Sequence, residues 1–85
     1  ITYLVTTQII RPEAITIDFS TDEVYWSDTI RDTVEAISWD GSRRRTVARN
    51  IPKAISLLTV DNYLYVMDRA FLSVKTVLRL RQLSL

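Results

Sequence analysis

Pro12-Glu13-Ala14-Ile15 returns as Pro52-Lys53-Ala54-Ile55, Tyr25 returns as Tyr65, and Asp28 as Asp68, all at an offset of 40 residues. Val24 is matched by Leu64 and Val34 by Val74 at the same offset. A period of about 40 residues built from short strands is the signature of a propeller blade of four strands. Helical repeats of similar period need long 3.6-residue patterns, and the first two thirds of the chain have none. Local signals agree. Ala14 to Phe19 alternates apolar Ile15, Ile17 and Phe19 against Thr16 and Asp18, which predicts a strand. Ser20 to Glu23 is a polar turn, and Val24-Tyr25-Trp26-Ser27 is a second strand. Thr33 to Trp39 alternates again, with Val34, Ala36 and Ser38 on one face. Asp40-Gly41-Ser42 reads as a turn in which Gly41 is free to take positive φ. Arg45 to Ala48 is a fourth, shorter strand, and Pro52 punctuates before the next unit.

That next unit predicts strands over Ile55 to Val60 and Tyr63 to Met67. The opening Thr2 to Thr6 stands where a fourth strand would precede the first Pro-x-Ala-Ile. Residues 70–85 carry two readings. Val74 to Leu80 alternates as a third strand, whereas Lys75 and Arg79 share a face of a basic amphipathic helix. Repeat position favours the strand. The chain thus divides into an outer strand of a preceding blade (1–11), a complete blade (12–51) and a degenerate partial blade (52–85).

Composition excludes several functions. The 85 residues contain no cysteine and no histidine, which removes disulfides, thiolate metal sites, the usual general base and the serine and cysteine triads. One glycine is too few for a glycine-rich phosphate loop. No apolar run approaches the roughly 20 residues of a membrane-spanning helix. An enzyme is therefore not expected, nor a cofactor. The absence of an initiator methionine and of a signal sequence predicts a processed or excised piece. Charge is segregated. Pro12 to Asp40 holds eight acids against one base, while Gly41 to Lys53 holds five bases and no acid. The structural reading is that these segments are neighbours in one fold.

The same residues carry a resemblance. Tyr25-Trp26-Ser27-Asp28 resembles the YWTD signature of the low-density lipoprotein receptor class B repeat. Arg11 to Asp18 looks like that family's first-strand motif, and Asp32 to Ala36 like its third strand. Asp40-Gly41-Ser42 with Arg43-Arg44 looks like its turn and basic step into the fourth. The second repeat keeps Tyr65 and Asp68, loses the tryptophan, and has no second Asp-Gly turn. The resemblance implies an all-β fold: about two blades' worth of a six-bladed β-propeller of four-stranded antiparallel sheets. It implies a non-enzymatic extracellular or cell-surface module that binds a protein ligand, in an endocytic or signalling receptor of lipoprotein-receptor or nidogen type. The remaining blades come from a longer chain or from a homo-oligomer, three copies closing six blades as a purely structural particle.

Each candidate residue has a structural and a functional reading. Tyr25 and Trp26 point to opposite faces of one strand, and packing between blades is the plain expectation for both. Ser27, Asp40, Gly41 and Tyr65 belong to the same structural motif. Asp28 and Asp68 end equivalent strands and are expected to accept backbone or arginine hydrogen bonds in the following loop, with Arg31 and Arg69 nearest. The acids lack the spacing of a calcium loop, and nothing favours a paired-carboxylate hydrolase. Trp39, at a strand end, is a candidate ligand contact because tryptophan is a common interface anchor. Arg43-Arg44-Arg45 reads as a solvated outer strand with Arg43 and Arg45 on one face, or as a site for an acidic partner. Nucleic acid is disfavoured by the acidic stretch beside it.

Overall fold

A computed structural model of the chain describes residues 4–5, 7–51, 54–68 and 73–79. Regular structure among them is all β. Seven strands follow in order: β1 (Pro12–Asp18), β2 (Glu23–Asp28), β3 (Thr33–Ser38), β4 (Arg45–Arg49), β5 (Ala54–Val60), β6 (Tyr63–Asp68) and β7 (Ser73–Arg79). They form two antiparallel sheets, β1-β2-β3-β4 and β5-β6-β7, in which every strand pairs with its neighbour in sequence. The alternating pattern that favoured a strand near residue 74 is realised in β7, so that part of the C-terminal segment is not helical.

The turns are made by residues that tolerate a left-handed backbone. Asp22, Asp32, Asn50 and Asp61 all have φ between 53° and 59°. Asp and Asn side chains hydrogen-bond locally in this conformation and offset part of its cost. Asp18, the last residue of β1, ties down the β1–β2 turn from its strand end, accepting from Ser20 N (3.1 Å), Ser20 Oγ (2.6 Å) and Thr21 Oγ1 (2.9 Å). Gly41 has φ +89° and donates to Ser38 O at 2.9 Å. A Cβ built there meets nothing within 4 Å, so a side chain would meet backbone strain and no clash. Gly41→Ala is expected to lower stability by about 1–2 kcal/mol. The check is a urea midpoint that falls while the slope of the transition stays constant.

The sheets stack face to face. Tyr25, Val34 and Ala36 of the first meet Ala54, Leu57, Leu64 and Val66 of the second, ringed by half-buried Ala14, Val47, Ala48 and Ile51. The opposite face of the first sheet buries Val24, Trp26 and Ile37, with Leu4, Val5, Ile9 and Ile17 against them. This double burial explains why β2 and β3 are inaccessible along nearly their whole length. It also divides Tyr25 and Trp26 between two separate cores, as strand alternation requires.

The outer strand expected over residues 1–11 lies partly outside the described residues; in the part that is described, Leu4, Val5 and residues 7–11 are irregular. A left-handed backbone at Gln8 (φ 56°) breaks extended geometry there. Thr2, Tyr3 and Thr6 lie outside the described residues. The three arginines do not share a strand either. Arg43 is left-handed (φ 58°) and β4 starts only at Arg45.

Candidate functional site

The first blade-like sheet is anchored at one end by Asp28. Its buried carboxylate accepts four backbone N–H bonds: from Ile10 (2.8 Å), Arg11 (3.3 Å), Ile30 (3.1 Å) and Arg31 (3.0 Å). Burial alone would raise its pKa, but the four donors together hold it below the ordinary 3.8. Arg31 therefore serves Asp28 with its backbone, not its guanidinium. The donors from residues 10 and 11 were not foreseeable from the loop that follows. Ser27, one residue earlier, accepts from Ala14 N (3.1 Å) and donates to Ala54 O (2.9 Å), so it links the two sheets. Asp68 ends β6 as Asp28 ends β2; its side chain and Arg69 lie outside what is described. Tyr65 is half-buried on β6.

Two of the three clustered arginines are used internally. Arg44 lies 5.4 Å above the ring of Trp26 and donates to Thr7 O (2.8 Å), Gln8 O (3.2 Å) and Glu35 Oε1 (3.2 Å). Arg31 pairs with the other oxygen of Glu35 at 3.3 Å and also reaches Gln8 O. Glu35 is almost wholly buried, and two guanidiniums with the Thr33 hydroxyl satisfy it. Arg45 makes a bidentate pair with Glu23 at 2.6 and 3.1 Å. That pair lowers the Glu23 pKa and raises that of Arg45. Burial, reinforced by Glu23, pushes the Tyr25 hydroxyl up to about 12. The sign of local charge, read from segregated acids and bases, is thus resolved as ion pairs across the strands of one sheet.

The opposite end presents the open surface. The β1–β2 and β3–β4 turns meet there, joined by a bond from Trp39 N to Asp22 O at 2.8 Å. Trp39 is 63% exposed and Phe19, on the neighbouring turn, 82%. Trp39 lies beside a depression of ≈340 Å³ whose wall includes Thr21, Asp22, Asp40 and Arg43. Asp40 accepts from Ser42 Oγ (2.6 Å) and Ser42 N (2.9 Å), and these bonds lower its pKa. Arg43 is exposed beside it. Trp39 and Arg43 therefore share one rim, while Arg44 and Arg45 face the sheet. Phe19 was read from sequence only as a strand residue. Its position at a strand end beside a polar turn was the available signal. Among the described residues no three acidic side chains converge on a metal position.

No protein-family model matches the chain. Over 44 residues it is 41% identical to low-density lipoprotein receptor-related protein 8 of Gallus gallus, a match that covers 52% of this chain and 5% of that protein. Its fold is similar to that of a chain in the crystal structure of a nidogen/laminin complex, with a TM-score of 0.54 at 16% identity. That likeness covers 89% of this chain and 50% of the other, so the chain spans only part of each relative. At such identity the second likeness shows the fold, which is that of a β-propeller. The repeat residues and the propeller-type sheets together make the chain similar to β-propeller blades of the low-density lipoprotein receptor type, with YWTD-like repeats.

Proposed function

We propose that the chain is part of an extracellular, non-enzymatic protein-binding module of a receptor-like protein, and that it contacts its partner through the loop end that carries Trp39. In this reading residues 12–51 are a complete blade and 52–85 a partial one, and further blades of a longer chain complete the propeller. Its relatives are receptor and adhesion-type propeller proteins. The observation that carries the reading is Trp39 itself: a large apolar side chain, mostly exposed, on a backbone fixed by the bond to Asp22. A rigid aromatic loses little conformational entropy on binding, and the flanking Asp40 and Arg43 supply the charged rim that gives specificity. Arg44 and Arg45 contribute by holding the sheet, since their guanidiniums are already paired.

The test uses two immobilised proteins suggested by the relatives' names, laminin and low-density lipoprotein. The chain is expected to bind one of them. Trp39→Ala is expected to weaken that binding at least tenfold, as for a buried aromatic anchor worth about 2 kcal/mol. Far-ultraviolet circular dichroism should be unchanged, because Trp39 lies outside both cores. Equal binding by both variants would remove Trp39 from the contact. Binding to neither protein would remove the ligand classes that those names offer.

A further inference from the structure

The depression beside Trp39 holds more chemistry than an aromatic anchor needs. It is built from the β1–β2 and β3–β4 turns and the last residue of β3, with Asp22, Trp39, Asp40 and Arg43 in its wall. Both turns lie at the end of one sheet, so the depression does not depend on what covers the faces of the stack. The bond from Trp39 N to Asp22 O at 2.8 Å sets the distance between the turns. Bonds from Gly41 N to Ser38 O (2.9 Å) and from Ser42 to Asp40 (2.6 and 2.9 Å) fix the second turn. The wall is thus ordered before a ligand arrives, which lowers the entropy cost of binding.

Two charged groups in that wall are uncommitted. Among the described residues, neither the Asp22 carboxylate nor the Arg43 guanidinium makes a hydrogen bond or a salt bridge. Arg44 and Arg45 beside them are both paired. The Ser42 bonds, and after them the charge of Arg43, lower the Asp40 pKa, yet no salt bridge joins Arg43 to Asp40. Both Ser42 bonds fall on Asp40 Oδ1, so they leave its second oxygen unused. The wall therefore offers acceptors at Asp22 and Asp40 and donors at Arg43, next to an indole that is 63% exposed.

These groups select the occupant. A charged side chain is attracted by one of them and repelled by another. An apolar side chain desolvates them without a hydrogen bond in return. A neutral sugar satisfies all of them. Each of its hydroxyls both donates and accepts, and the C–H face of its ring is apolar and lies on the negative π face of an indole. The volume, ≈340 Å³, falls within the range of about 300–1,000 Å³ for small-ligand sites.

We propose that this depression is a carbohydrate site. A neutral sugar of a glycosylated partner stacks on Trp39, donates hydroxyl hydrogens to Asp22 and Asp40, and accepts from Arg43. The proposal rests on the reading that the Trp39 end meets the partner, and it names what is met there.

The probes are methyl α-D-mannopyranoside, methyl β-D-galactopyranoside and N-acetyl-D-glucosamine, with D-glucuronate and D-glucosamine as charged counterparts. Each is titrated into the full chain while the indole N–H resonances are followed by NMR. The chain has two tryptophans, Trp26 in a core and Trp39 at the site, so the spectrum reports position. At least one neutral sugar should shift the Trp39 resonance saturably and leave that of Trp26 in place. Asp22→Asn and Arg43→Asn should each weaken binding about tenfold, as for loss of a hydrogen bond to a charged group, with unchanged circular dichroism. Asparagine is chosen because both positions have a left-handed backbone. The proposal is overturned if no neutral sugar gives a saturable shift, if both indoles move alike, if both variants bind as the parent does, or if a charged sugar binds tighter than every neutral one. The underlying reading is tested separately. Laminin or low-density lipoprotein that binds through Trp39 equally well after enzymatic removal of its glycans overturns the sugar site and leaves the protein contact standing. A neutral sugar that binds where neither protein does supports the sugar site and removes those two partners.

Discussion

Asp28→Ala should nearly abolish cooperative folding of this chain. Its carboxylate is the shared acceptor of four backbone donors that come from two segments, residues 10–11 and residues 30–31. Removing it strands those N–H groups at a site with almost no access to water. The expected cost is about 3–5 kcal/mol, the range for deleting one side of a buried charged interaction. The total stability of a small domain is on the order of 5–15 kcal/mol, so the loss is a large part of the whole. Asp28→Asn keeps the shape but presents an NH2 group to N–H donors, and should lose most of the same amount. Urea unfolding followed by tryptophan fluorescence measures both. Two variants within 1 kcal/mol of the parent would show that the carboxylate is not the anchor its geometry indicates.

The same site predicts a pH dependence with a definite sign. The pKa of Asp28 is lower in the folded state than the 3.8 of an unperturbed aspartate. Its contribution is therefore complete above the unfolded-state value and is lost as pH falls through the folded-state value. Parent stability should decline below about pH 4 through this group, and the decline should be shallower in Asp28→Asn, which has no carboxylate to protonate.

Tyr25→Ala is the second large effect. Tyr25 is 1% exposed at the centre of the contact between the two sheets. Truncation removes its ring from that core and leaves a cavity between β2 and the second sheet. The cost expected for a buried aromatic is about 3–5 kcal/mol. Tyr25→Phe should be far milder, about 1 kcal/mol, because only the hydroxyl's bonds are lost, its donation to Glu23 at 3.1 Å and a long acceptance from Arg45 at 3.5 Å. It should also leave the Glu23–Arg45 pair in place. The pair of variants separates packing from hydrogen bonding. A phenylalanine variant as weak as the alanine one would move the explanation to the polar cluster.

Much of this was legible in the residues. Strand alternation assigned Tyr25 and Trp26 to opposite faces, and each lies in its own core. The 40-residue offset and the YWTD-like residues pointed to an all-β propeller fold, and that is the fold observed. Position in the repeat favoured a strand near residue 74 against an amphipathic reading, and β7 is there. Three things were not legible. The donors that reach Asp28 from residues 10 and 11 come from before β1, and no local rule connects a carboxylate to a segment 17 or 18 positions upstream. The three arginines look equivalent in sequence. Their fates diverge because Arg43 takes a left-handed turn, which sends Arg44 over Trp26 and Arg45 to Glu23. The irregular path of residues 7–11 is set by tertiary bonds to Arg44 and Asp28, whereas the apolar residues near the N terminus alone read as a strand.

The pairing of each strand with its sequence neighbour bears on how the chain reaches its fold. Every sheet contact is a hairpin closed by a short connection, so little loop entropy must be surrendered before ladder bonds form. Order can grow in the direction of synthesis. Once residue 49 has cleared the ribosome, β1 to β4 can complete their ladder without waiting for β5, and Tyr25 then offers a finished surface on which the next hairpin condenses. Within the two described sheets, order is thus an additive sequence of local events, in contrast to β folds built from strands distant in sequence.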